Sequence, residues 1–209
     1  MSAKIYDISM PIQPGMPVYK NKPEKQPEFE ITSNFPENSV RETRIHLDVH
    51  TGTHVDAPLH MMPSGDTIET IPLTDLIRPC SVLDLTQVEK AIHAQDLMPF
   101  EITAGDFILL KTRNSFAAEF DFEFVFLAAD AAEYLAEKKI KGVGIDALGI
   151  ERSQPEHTTH KALFGIGAVI IEGLQLGKVE PGRYEMMALP LKLEGLDASP
   201  ARIVLRELK

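Results

Sequence analysis

Between His46 and His60 the chain reads His46-Leu47-Asp48-Val49-His50-Thr51-Gly52-Thr53-His54-Val55-Asp56-Ala57-Pro58-Leu59-His60. Four of the seven histidines and two aspartates fall in this stretch, all at even positions. The odd positions from Ile45 to Leu59 are mostly apolar. In an extended chain successive side chains alternate between faces, so one face would enter the core and the other would present imidazoles and carboxylates. These are the usual ligands of Zn, Mn and Fe. Gly52 interrupts the polar row and leaves room for something bulky at the backbone. Two plainer readings compete. One is a half-exposed strand whose solvent face happens to be polar. The other is a helix with His50 and His54 one turn apart, which Thr51-Gly52-Thr53 and Pro58 oppose.

The elements that must position this segment are read from hydrophobic patterning. Lys4 to Met10 and Arg41 to Val49 read as strands, the second running into the His-rich stretch. Pro11 to Pro36 holds six prolines and reads as a long surface loop, for substrate or interface contacts. Pro79 to Leu85, Asp106 to Thr112, Ala168 to Ile171, Glu185 to Leu193 and Arg202 to Leu205 read as further strands. His93 to Met98 reads as a short helix. Phe122 to Phe126, Leu127 to Lys138 and Gly142 to Asp146 read as a strand–helix–strand unit, with Asp130 and Glu133 marking the helix start. Many strands and few helices, with no linker or repeat, predict one domain over 1–209.

Composition narrows the function. The 209 residues are 44% hydrophobic and carry a net charge of -10, which argues against binding nucleic acid through its phosphates. No apolar run approaches the roughly 18 residues of a membrane span. Met1 to Met10 shows no signal-like pattern, and the single cysteine, Cys80, lies among apolar residues. A buried thiol in a cytoplasmic protein is the expectation. Serine-hydrolase elbows, zincin helices, phosphate-binding glycine loops and Cys-x-x-Cys pairs do not occur. Two later features remain. Glu172 closes the apolar run Val169-Ile170-Ile171, where a carboxylate is costly unless paired or bound to a cation. His157 and His160 read as part of a polar loop after Asp146.

The sequence His50-Thr-Gly-Thr-His54-Val-Asp56-Ala-Pro-Leu-His60 resembles the His-x-Gly-Thr-His-x-Asp-x-Pro-x-His motif of the cyclase family of metal-dependent hydrolases, which includes bacterial kynurenine formamidases. Further markers follow in order: Gly144-Ile-Asp146, His160-Lys-Ala-Leu, Ile171-Glu172-Gly-Leu, Ala188-Leu-Pro-Leu191 and Gly195-Leu-Asp-Ala-Ser-Pro200. The resemblance implies an α/β swivelling-type fold with a mixed, barrel-like sheet, assembled as a homodimer or larger. It implies one or two divalent ions per chain, zinc or manganese. His50, His54 and Asp56 match ligands of a first metal, His160 a ligand of a second, and Asp56 and Glu172 positions that bridge the two. His60 matches the proton donor and acceptor. Formamidases of the family carry a Trp in an early Pro-Val-Trp-Pro-Gly segment that stacks on the substrate. Here the stretch is Pro17-Val18-Tyr19-Lys20, and the chain has no Trp. Tyr19 is then the candidate stacking ring, and Lys20 and Lys22 stand where Pro-Gly would follow.

The function expected is hydrolysis of a small amide, with N-formylkynurenine first among substrates. An isatin-like cyclic amide, a lyase or cyclase reaction at the same metal, and a non-catalytic binding protein are the alternatives. An intact His60 disfavours the last, because a protein without turnover would be free to lose it.

Overall fold

The computed structural model describes residues 3–208. Its strands are β1 (Ile5–Asp7), β2 (Glu28–Ser33), β3 (Glu42–His46), β4 (His54–Asp56), β5 (Ile77–Asp84), β6 (Ala91–Ile92), β7 (Phe107–Lys111), β8 (Phe126–Leu127), β9 (Gly142–Ile145), β10 (Val169–Glu172), β11 (Gly182–Pro190) and β12 (Ala198–Glu207). The helices are α1 (Leu73–Leu76), α2 (Ala94–Leu97), α3 (Ala129–Glu137) and α4 (Thr158–Gly165). The main sheet runs β1-β12-β11-β5-β7-β9-β10-β4, and β4 also pairs with β12. That second pairing closes seven strands into a mixed barrel and leaves β1 on the outside.

The apolar runs explain the layering. In β7, Phe107 and Leu109 enter one core cluster while Ile108 and Leu110 enter another. In β10, Val169 and Ile171 join the first of these and Ile170 the second. Strands buried on both faces read as continuous apolar runs, as parallel strands should. β5, β7, β9 and β10 are indeed parallel. The inner cluster, with Val55, Met186, Ile203 and Leu205, fills the barrel. The outer one packs Ala131, Leu135, Leu163 and Phe164 of α3 and α4 on the sheet. Gly142 is glycine because a Cβ there would collide with the Phe107 ring.

Several expectations change. The extended row from His46 to His60 is broken: 47–53 is a turn, β4 is three residues long, and Pro58–His60 is a 3-10 turn. Both faces of Thr51–Ala57 are buried, whereas Ile45 and Leu47 are exposed, so alternation was the wrong warrant for the polar row. The Pro11 to Pro36 stretch, expected to be a loop throughout, contains two 3-10 turns and also a strand, β2, which pairs with β3 as a two-stranded hairpin. Prolines 11 to 27 stop short of that strand, and from Glu28 to Ser33 the backbone N–H groups are free to pair. Phe122 to Phe126 is strand only at its last residue, and β8 pairs with β6, not with β9. The segment read as a polar loop contains α4, which carries His160. Asp130 does not cap its own helix: its carboxylate accepts from the Ala94 N–H at the start of α2.

Candidate metal centre

β4 is both the closing staple of the barrel and the carrier of the site. Its antiparallel register sets His54 opposite Glu172, Val55 opposite Ile171 and Asp56 opposite Ile170 on β10. On its other side His54 faces Pro200 and Asp56 faces Ala198. The turn before it is held by Thr53, whose hydroxyl donates to the Gly173 carbonyl (2.5 Å) and accepts the Met10 N–H (2.8 Å). Gly52, at φ +63°, gives room to Met16 of the core: a Cβ would sit 3.1 Å from its Cε. The bulky neighbour expected at this glycine is therefore a core side chain.

Five predicted residues converge. Nδ1 of His50 lies 2.9 Å from Asp56 Oδ1, and Nε2 of His54 lies 3.3 Å from the same oxygen. His160 Nε2 lies 3.7 Å from Asp56 Oδ2 and 3.5 Å from Glu172 Oε1. Glu172 Oε2 lies 3.4 Å from His54 Nε2. Donor atoms therefore group as His50, His54 and Asp56 on one side and as Asp56, His160 and Glu172 on the other. His60 stands beside them, its ring centroid 4.0 Å from that of His50 and 5.8 Å from that of His160. Tyr19 lines the same cavity of about 400 Å³, edge-on to Phe120 at 5.5 Å.

Whether these residues suit a cation is decided by alignment. His54 Nε2, both Asp56 oxygens and both His160 nitrogens are buried and make no hydrogen bond, although their neighbours lie close. Buried polar atoms are nearly always paired. Groups that crowd together without aiming at one another fit a set aimed at a common point. The three outer imidazole nitrogens support this. His50 Nε2 meets Asp197 Oδ2 at 2.9 Å, His54 Nδ1 meets the Gly52 carbonyl at 2.9 Å, and His160 Nδ1 lies 3.4 Å from Glu151 Oε2, close but poorly aligned. Acceptors at the outer nitrogen are how ligating imidazoles are usually oriented.

The electrostatics agree. Burial opposes charge on His54, but Asp56 and Glu172 outweigh it and raise the ring to about 10. His50 and His160 are raised against burial in the same way, His50 chiefly by Asp56. Burial would raise Asp56 and Glu172, yet the surrounding rings hold Asp56 well below the usual carboxylate range and Glu172 at about 2. Two buried carboxylates thus demand positive charge at this spot. His60 goes the other way. Burial lowers it, and repulsion from His50 and His160 adds to that, so the ring favours the neutral form.

Sequence reading missed Glu151 and Asp197. Glu151 accepts from His157 Nδ1 (2.5 Å) and from the His160 N–H (3.3 Å). Asp197 Oδ2, besides meeting His50, lies 3.5 Å from His60 Nδ1. Asp197 sits within the Gly195–Pro200 marker, which was a usable signal; Glu151 had none. His46 and Asp48 stand apart, near Glu30 and Lys25 respectively. Cys80 is buried, its thiol pushed up to about 12 by burial.

Comparison with known proteins agrees with this arrangement. The Cyclase family model, described as "Putative cyclase", matches residues 6–152. The kynurenine formamidase of Salinibacter ruber is 33% identical over 206 residues, covering 97% of each chain. A solved structure described as a predicted metal-dependent hydrolase from Bacillus stearothermophilus is 57% identical, covers 100% of both chains and superposes with a TM-score of 0.92. Isatin hydrolase A from Labrenzia aggregata shares the fold, at 22% identity and a TM-score of 0.87. With the closed mixed barrel and the His-Asp-Glu cluster in place, the chain belongs to the cyclase family of metal-dependent hydrolases.

Proposed function

We propose that this protein is a metal-dependent amide hydrolase that cleaves N-formylated arylamines, with N-formylkynurenine as substrate and kynurenine and formate as products. The observation that carries the reading is the set of buried, unsatisfied donor atoms on His54, Asp56 and His160, beside a neutral-leaning His60, at the floor of an open cavity. Full-length similarity to kynurenine formamidases supports the choice of amide.

His50, His54 and Asp56 would hold a first ion, and Asp56, His160 and Glu172 a second, with zinc or manganese suited to imidazole and carboxylate donors. When bound, such an ion supplies Lewis acidity for a carbonyl and acidifies water. The protein's own groups do the rest. Water adds to the formyl carbon, the carbon–nitrogen bond breaks, and the nitrogen departs with a proton. His60, neutral near pH 7, accepts the proton of the attacking water and returns it to the leaving nitrogen. Asp197 beside Nδ1 fixes the ring, leaving the other nitrogen for transfer. Tyr19, half-buried in the cavity wall, offers its ring face to the aryl group. No covalent nucleophile is needed.

The assembly is a cytoplasmic homodimer or larger oligomer. A single buried thiol suits a reducing compartment. The hairpin supports the oligomer: Phe29, Ile31 and Ile45 are all exposed on it, and Phe29 pairs directly with Ile45. Two-stranded hairpins are marginal alone, so this apolar face calls for a cover. No helix among the described residues is long and apolar enough to cross a membrane.

The test is metal analysis followed by turnover of formanilide, N-formylkynurenine, isatin and small lactams, with and without chelator. Hydrolysis of the formyl-anilides that stops on chelation and returns with Zn or Mn supports the proposal. Full activity in chelated, metal-free protein refutes it. Isatin turning over while formyl-anilides do not would favour ring opening instead.

A further inference from the structure

The mouth of the metal cavity carries three lysines, Lys20, Lys22 and Lys25, in a chain whose net charge is -10. Their partners differ. Lys25 is neutralised by Asp48 at 2.8 Å, with its side chain partly buried. Lys22 stands 3.9 Å from Glu24, both exposed. Lys20 makes no ion pair among the described residues, and its Nζ lies 5.2 Å from the centroid of the Tyr19 ring. Acidic groups do lie nearby, but each is already engaged. Asp56 is held by His50 and His54, Glu172 by His54 and His160, Glu151 by His157 and His160, and Asp197 by His50 and His60. No carboxylate of the site is left for the lysines.

The backbone at Lys20 is unusual. Lys20 and Asn21 are consecutive non-glycine residues at φ 57° and 50°, a region that L side chains rarely occupy. This left-handed pair lies between Val18, which is anchored in the interior, and the 3-10 turn at Pro23–Lys25. It leaves the unneutralised ammonium group over the Tyr19 ring, at the wall of the cavity.

We infer that Lys20, with Lys22, forms a subsite for an anionic group, so that this hydrolase selects aryl amides bearing a carboxylate away from the scissile bond. The inference rests on the amide-hydrolase reading. Polarity along the cavity then orients the substrate. The amide lies at the His-carboxylate floor, the aryl ring against Tyr19, and the anion at the lysine mouth. The cavity of about 400 Å³ is within the size range of small-molecule sites. A neutral cyclic amide would leave Lys20 without a partner.

The experiment compares binding of kynurenine and of its carboxamide, which differ only in the carboxylate, by calorimetry on the metal-loaded protein at low ionic strength. Wild type should prefer the carboxylate roughly three- to tenfold, the scale of one or two partly exposed ion pairs, and added salt should erase the preference. Lys20→Gln with Lys22→Gln should bind both compounds alike, while Lys20→Arg should keep the preference, showing that charge and not packing is read. Equal binding to wild type, or a preference that survives in the double variant, overturns the subsite. Turnover of N-formylkynurenine, which carries both the formyl-anilide and the carboxylate, is measured in parallel. Its absence overturns the amide-hydrolase reading, and the binding comparison still decides the subsite.

Discussion

Substituting His60 separates proton transfer from metal holding. Its ring shares donor distance only with His50 and Asp197, in a group that omits Asp56, Glu172 and His54. The side chain is 27% exposed and lines the open cavity, so the space that His60→Ala vacates joins that cavity. His54, by contrast, is 2% exposed and lies within 3.4 Å of oxygens on both Asp56 and Glu172. If His60 moves the proton, His60→Ala should keep its metal and lose roughly 10²–10⁴-fold in turnover. At 1.36 kcal/mol per decade that is about 2.7–5.4 kcal/mol of transition-state stabilisation. His54→Ala should lose metal and activity together, because two buried carboxylates then keep only two imidazoles around them. The assays are metal content per chain by elemental analysis and kcat on a formyl-anilide. Two variants that are equally metal-poor would make His60 a ligand, and a fully active His60→Ala would remove it from the proton path.

Chelation should lower the melting temperature: an ion at a hundred times its dissociation constant adds about 2.7 kcal/mol, or roughly 5–11 °C for a chain of this size, and scanning calorimetry showing no shift would argue against a tight site. Gly173→Ala should unfold or empty the site, because Gly173 has φ +70° and its Cβ would collide with the Gly52 carbonyl; a variant with native stability and metal content would contradict that packing. Cys80 should ignore thiol reagents at pH 8 until the chain is denatured. Its folded pKa of about 12 exceeds the ordinary 9.0, so below pH 9 it adds no pH dependence, and above pH 9 the unfolded thiol ionises while the folded one does not. Stability should therefore fall by about 1.4 kcal/mol by pH 10, a slope that denaturant titration of Cys80→Ala should lack.

What the sequence determined is local. The His50, His54 and Asp56 spacing was legible because a short strand and the turn before it set all three side chains within a few residues of chain. Glu172 was visible as a carboxylate ending an apolar run, and Cys80 as a core residue. The buried parallel strands stood out because burial on both faces leaves an unbroken apolar signature. The reason given for the polar row, strict alternation, did not survive: Thr51 to Ala57 is buried on every side because β4 is wedged between β10 and β12. Alternation reports which side of a sheet meets water, and a strand that closes a barrel has no such side.

Tertiary structure alone decided the rest. Helix α4 hid from pattern reading behind Gln154-Pro155 and a polar first turn, and its weak amphipathic pattern gave no stripe to find, so His160 looked like a loop residue. Nothing local announces that Glu151 will accept from two histidines, or that Asp197 will stand between His50 and His60. These contacts join residues up to 147 positions apart. The Asp197 contacts exist because the pairing of β4 with β12 fixes two distant segments at one register, whereas Glu151 meets His157 and His160 across the turn that leads into α4. Local propensity determines which stretches can be strands; which strands meet, and which side chains are then buried together, is settled by the packing of the whole barrel.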